Sequence, residues 1–138
     1  MSRDLLYENL LRPVLFSLDP EEVHKFAHHA LLTASPILAA MPFRYKGTDL
    51  QVELFGKTLE NPIGLAAGFD KNGSLASVLS SLGFGFVEIG SVCARPHGGN
   101  TRPRLFRLSE DNALINRLGL NGLGAQVVST SLEKTKFS

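Results

Sequence analysis

The stretch Asn61-Pro62-Ile63-Gly64-Leu65-Ala66-Ala67-Gly68-Phe69-Asp70-Lys71-Asn72-Gly73 decides the reading of this chain. It runs an apolar strand, Ile63 to Ala67, into a glycine-rich turn that carries one lysine, and a helical pattern over roughly Ser74 to Leu82 follows. Small residues at a strand mouth let backbone approach a flat or phosphorylated ligand, and a lysine beside them offers a positive charge with three donors. A second apolar run, Phe84 to Val92, completes a strand, helix, strand order with short connections. That order predicts a right-handed parallel crossover and an α/β fold.

Upstream, Gln51-Val52-Glu53-Leu54 and Lys57-Thr58-Leu59 flank Phe55-Gly56 and predict a small hairpin. Downstream, Arg95 to Arg107 is rich in Gly, Pro and Arg and reads as a long loop, and a helix resumes from about Gly124 to Lys134. All 13 glycines lie between Gly47 and Gly124, so the composition changes near Tyr45 to Thr48. This boundary predicts a division into residues 1–46 and 47–138.

Before the boundary, Leu6, Leu10, Val14 and Leu18 recur at helical spacing, with Pro13 expected to bend or divide the segment. Asp19-Pro20-Glu21-Glu22 then reads as the start of a second helix, with Asp19 as N-cap, Pro20 in the first turn and two glutamates at the positive end of the dipole. Val23, Phe26, Ala27, Ala30 and Leu31 supply its apolar face. Two short helices of this kind pack on a following domain or lie in a membrane interface.

The chain has 138 residues, 43% of them hydrophobic, enough for one modest core or part of a larger one. Its 14 basic and 13 acidic residues leave it nearly neutral, which excludes a global field drawing it to nucleic acid or anionic lipid. The single Cys93 rules out an internal disulfide and is compatible with a reducing compartment. The N-terminus mixes charge with apolar residues, unlike a secretory signal, and the uncharged run Ala30 to Phe43 is short and interrupted by Pro36 and Pro42.

Four ordered blocks, Leu65 to Gly73, Gly83 to Val92, Gly99 to Leu108 and Ile115 to Asn121, resemble dihydroorotate dehydrogenase. Asp19 to His24 resembles the helical extension of its quinone-dependent, membrane-associated branch, so the resemblance covers the chain to about Lys134. It implies the N-terminal part of a (β/α)8 barrel preceded by a small helical extension, in a flavoprotein that oxidises dihydroorotate to orotate through FMN and passes the electrons to a membrane quinone. Such barrels need about 250 residues. The chain is therefore expected to be an N-terminal fragment, inactive alone and poorly soluble, with the family's serine base and the later phosphate-binding loops downstream. The expected setting is a peripheral membrane surface, of bacterial inner-membrane type, facing a reducing compartment.

By the same resemblance, Ala67, Gly68, Phe69, Asp70, Lys71 and Ser91 border the flavin. Lys71 also reaches the substrate, together with Asn116, Arg117, Leu118, Gly119 and Leu120. His24 and Arg107 match positions beside the quinone tunnel. The sequence departs from the usual pattern at Leu120, where the family often has phenylalanine, at Gly122, where a second asparagine is common, and at Cys93-Ala94, which replaces Thr-Pro.

Three other readings compete. His24 and His28 stand at i, i+4, a zinc-compatible spacing, but no glutamate lies between them and no third ligand is evident. Gly119 to Gly124 has the wrong glycine order for a dinucleotide fingerprint, with no strand immediately before it. Arg95, Arg102, Arg104, Arg107 and Arg117 form a possible basic patch for nucleic acid, with only Phe106 among them for stacking. The expectation from the sequence is no metal and no nucleic-acid partner. A non-catalytic peripheral membrane protein is the remaining alternative.

Overall fold

The computed structural model describes residues 5–41 and 47–135. Contacts along the backbone divide the chain into two compact units, Met1–Ala30 with Asn100–Leu118, and Leu31–Gly99 with Gly119–Ser138. The composition boundary near Tyr45 to Thr48 falls partly outside the described residues.

In the first unit a π-helical turn, Tyr7–Leu11, runs into helix α1, Arg12–Ser17. The backbone stays helical across Pro13, and the expected bend or division takes the form of a change of helix type just before it, from the π-helical turn to α1. The wider turn ends with the Arg12 amide bonded to the Tyr7 carbonyl, and Pro13 then falls in the first turn of α1, where its missing N–H costs nothing. Asp19 caps the next helix as read from the sequence: its carboxylate accepts from the Glu21 and Glu22 amides at 2.9 and 3.0 Å. That helix, α2, spans Pro20–Ala40 and is much longer than the short helix expected, with Pro36 inside it rather than ending it. Phe26, assigned to the apolar face, is 68% exposed.

The expected hairpin is present as β1, Val52–Leu54, paired antiparallel with β2, Lys57–Leu59, through a turn in which Phe55 and Gly56 both have positive φ. Strands β3, Gly64–Leu65, and β4, Phe86–Val87, pair in parallel across helix α3, Ala76–Ser81. Both strands are shorter than their apolar runs, because Ala66, Ala67 and residues 89–92 leave the ladder to form the strand mouths.

The entrance to β3 is fastened by the buried Asn61, whose side-chain amide donates to the Gly83 carbonyl at 3.0 Å while its oxygen accepts from the Ile63 amide at 3.0 Å. Gly85 fits against this staple because any Cβ there would run into the Asn61 carbonyl oxygen. Leu75, Val78 and Leu79 form the buried cluster of the second unit, with Leu31, Leu38, Leu65, Phe69, Leu82 and Val87 packed around it. Helix α4, Ala125–Glu133, occupies nearly the predicted span and buries Val128.

The main correction concerns Arg95 to Arg107, read as loop. Leu105–Leu108 is strand β5 and pairs antiparallel with β6, Ala113–Asn116, around a turn at Ser109 to Asn112. A strand therefore ends shortly before the glycine-rich turn at Gly119. In β5 the half-buried positions are Leu105 and Arg107, so a cation sits where the alternation of a half-buried strand calls for an apolar residue.

Candidate functional site

In the second unit three loops meet. The parallel pair is extended by Gly85 N–H to the Ile63 carbonyl at 2.8 Å and Glu88 N–H to Leu65 at 2.9 Å, and beyond it Gly90 N–H donates to the Asp70 carbonyl in the turn at 3.3 Å. This carries Ser91, at the exit of β4, to the exit of β3. There Ala66, Ala67 and Gly68 are exposed, and a methyl group on Gly68 would meet no atom within 4 Å. Gly68 has φ +107, a conformation that glycine adopts readily and other residues rarely do.

Asp70 is 1% exposed. Its carboxylate accepts from the Leu75 and Ser74 amides at 2.7 and 3.1 Å and from the Ser74 hydroxyl at 3.4 Å. The amides entering a short helix have no intrahelical partner, and the Asp70 side chain supplies one. Asp70 and Phe69 thus serve the interior, Phe69 against the apolar cluster, and together they fix the backbone from which Lys71 projects.

The half-buried Lys71 ammonium donates to Asn121 Oδ1 at 2.7 Å. The neighbouring Asn72 accepts from the Leu123 amide at 2.9 Å. The turn bearing Asn121 is held from the other side as well. Gly122 and His97 exchange backbone hydrogen bonds of 2.9 and 3.0 Å, the Ala125 amide donates to the Cys93 carbonyl at 2.8 Å, and the Cys93 thiol donates to the Leu120 carbonyl at 3.6 Å. Gly119 and Leu120 take positive φ values of 77° and 55° within it. The result is a rim with small exposed residues, one ammonium group and a hydroxyl-bearing residue, able to take a flat ligand with a negatively charged edge. Asn121 was missed as a site residue. It closes the Ile115 to Asn121 block, but an asparagine among glycines reads as a turn former.

Asn116, Arg117 and Leu118 belong to the first unit, whereas Gly119 and Leu120 share the second with Lys71 and Ser91. Asn116 is exposed at the end of β6, and its side-chain oxygen accepts from the Leu118 amide at 3.5 Å. Arg117 donates to the Pro103 carbonyl at 3.0 Å, and its own carbonyl accepts from the Asn100 side chain at 2.7 Å.

Also in the first unit, Arg107 donates to the Leu18 carbonyl at 2.8 Å and lies 4.7 Å from the centroid of the Phe16 ring, which Arg12 approaches to 5.1 Å. His24 lies on α2 with its ring centroid 6.4 Å from that of His28. Among the described residues, no group of three His, Cys, Asp or Glu side chains is arranged to hold a metal ion.

Arg104 forms a two-point pair with Glu21, at 2.6 and 3.0 Å, and Arg102 bridges Glu21 and Glu22 at 3.0 and 2.6 Å. The Arg104 hydrogen bond is the chief cause that holds the Glu21 carboxyl down at about 2, against the opposing effect of burial. Four of the five arginines of the possible basic patch, Arg102, Arg104, Arg107 and Arg117, thus bond carboxylates or carbonyls of the protein itself.

A family model described as dihydroorotate dehydrogenase matches residues 49–137. Among curated relatives, the dihydroorotate dehydrogenase (quinone) of Christiangramia forsetii is 46% identical over 136 residues, covering 95% of this chain and 40% of the relative. That of Haloarcula marismortui is 49% identical over 129 residues, covering 91% and 37%. Two solved structures of DHODH from Eimeria tenella, one in complex with ferulenol and one ligand-free, superpose with TM-scores of 0.66 and 0.67 at 40% identity. They cover 80% of this chain, and 30% and 31% of their own chains are matched. The chain spans about two fifths of the length of the curated relatives it matches.

Proposed function

The chain belongs to the dihydroorotate dehydrogenase family, and from that premise we propose that the complete protein containing it is a quinone-dependent, FMN-binding enzyme that oxidises dihydroorotate to orotate in pyrimidine biosynthesis. The observation that carries this reading is the rim of the second unit: the open backbone at Ala67 and Gly68 with the Lys71 ammonium beside it. These residues fit the flavin. A methyl group on Gly68 would meet no atom within 4 Å, so a ring face could approach the backbone there, and the lysine supplies a cation for its electron-rich edge.

FMN, when bound, supplies the hydride acceptor; the chain's own residues bind and orient. Ala67 and Gly68 give backbone contact without a side chain in the way. Asp70 holds the turn through the start of α3, and Lys71 presents its charge to the flavin and to the carboxylate of the substrate. Ser91 adds a hydroxyl from the second strand mouth, and Gly119 and Leu120 add backbone groups beside Asn121. Asn116, Arg117 and Leu118 complete the substrate side in this reading. No residue of this chain is assigned the proton transfer.

The finer architecture is part of the same proposal: residues 47–138 open a (β/α)8 barrel and residues 1–46 form an extension that leads quinone to it, with His24 and Arg107 beside the path. Leu6, Leu10 and Val14 are each more than half exposed, as Phe26 is, which suits a peripheral membrane surface. No helix among the described residues is long and apolar enough to cross a membrane. The assigned setting is peripheral membrane association facing a reducing compartment, of bacterial inner-membrane type.

The test is stopped-flow reduction of the flavin by dihydroorotate in the complete protein. Lys71→Ala is expected to slow reduction by at least about tenfold, which is roughly 1.4 kcal/mol of barrier. Unchanged reduction rates remove Lys71 from the site.

A further inference from the structure

We infer that Asn121 is a positioning residue that aims the Lys71 ammonium and, being neutral, takes one of its hydrogens without adding an opposing charge at the rim. The inference rests on the placing of Lys71 in the flavin and substrate site, and extends the site to a residue that none of the expected contacts include.

The geometry has three parts. Lys71 Nζ donates to Asn121 Oδ1 at 2.7 Å, at the short end for a charge-assisted bond. Both residues are half-buried, so the contact is less diluted by water than a surface pair. The acceptor itself is held from two loops: Gly122 by two backbone bonds to His97, Leu123 by Asn72, and Leu120 by Cys93. A lysine side chain has four rotatable bonds and loses rotamer freedom when fixed, so a rigid acceptor lowers the ordering cost that a ligand meets.

The chemical identity of the acceptor matters as much as its place. An aspartate at 121 would fill nearly the same volume and hold the ammonium at the same distance, but would form an ion pair with it. The net charge offered to an anionic ligand would then fall by one. An amide positions the cation and leaves the sign of the rim unchanged. Asn72, next to Lys71 in sequence, uses its side-chain oxygen on the Leu123 amide, so the two consecutive side chains tie down the same turn by different means.

The experiment is a double-mutant cycle on the complete, FMN-loaded protein, read as the equilibrium dissociation constant for orotate from the change in flavin absorbance. The variants are Asn121→Asp, Asn121→Ala, Lys71→Ala and the two double variants, each checked for FMN content and thermal melting. The expected result is at least tenfold weaker orotate binding for Asn121→Asp, a smaller loss for Asn121→Ala, and no further loss from Asn121→Ala in the Lys71→Ala background. Asn121→Asp differs from the parent by one isosteric group, so it tests the charge argument even where Asn121→Ala melts early. Two outcomes overturn the inference: unchanged orotate affinity in Asn121→Asp, or an Asn121→Ala loss that persists in full when Lys71 is already alanine. If Lys71→Ala alone leaves orotate binding unchanged, the assignment of Lys71 fails first and the inference falls with it, a pattern distinct from the other two.

Discussion

The two units bury opposite kinds of side chain. Among the described residues of the first unit, only Glu21 and Arg104 are buried, while Leu6, Leu10, Val14 and Phe26 stand in the open. In the second unit the buried set is led by Leu75, Ala76, Val78, Leu79 and Val128, with Asn61 and Asp70 serving backbone amides and carbonyls beside them. The contrast teaches where each region takes its stability. One is held by a directional charge cluster that leaves its apolar residues available for something else. The other is held by ordinary apolar packing, which leaves its polar residues free to shape a rim.

The largest test of this contrast is Glu21→Ala. It leaves the Arg104 guanidinium buried without its carboxylate, and a broken buried pair of this kind is expected to cost about 4 kcal/mol. Hydrogen exchange in the complete protein should show faster exchange at the start of α2 and in the β5–β6 hairpin, with α3 little changed. Equal loss of protection in α3 breaks the contrast.

Leu79→Ala sharpens it from the other side. Leu79 is 2% exposed, and its truncation should cost about 3 kcal/mol, read as faster exchange across α3 and the β3–β4 pair. Salt should leave that loss unchanged, since no charge is involved.

Acid gives the smallest effect within the accessible range. Because the Glu21 carboxyl is held at about 2 in the folded chain against an ordinary 4.5, its contribution is fully present above 4.5 and is lost as pH falls through 2. Protection of the β5–β6 hairpin should therefore begin to fall below pH 4.5 in the parent, and much less in Glu21→Ala. Identical acid profiles of the two proteins would assign the loss to other carboxyls.

Much of this arrangement is legible in the residues, and what is not has identifiable causes. The Phe55-Gly56 turn, the Asp19 cap and the span of α4 follow from local chemistry and needed no knowledge of the surroundings. The order β3, α3, β4 was also readable, but the strand lengths were not, because an apolar run looks the same whether it pairs in a ladder or leaves it at a strand mouth. Strand β5 was hidden by Arg107, which turns inward to the Leu18 carbonyl and the Phe16 ring, and only the fold reveals those partners. At the site, Lys71, Ser91 and the glycines stood out through resemblance, whereas Asn121 acquires meaning only from its distant partner.

That partner is far away along the chain. Lys71 and Asn121 are separated by 50 positions, and Asn72 meets Leu123 across 51. Closing a span of that length carries an entropic cost that rises by about 0.6 kcal/mol for each doubling, and is recovered only once the intervening helix and strands have condensed. On a ribosome the lysine would emerge 50 positions ahead of its acceptor, and the rim would form only after Asn121 has been added.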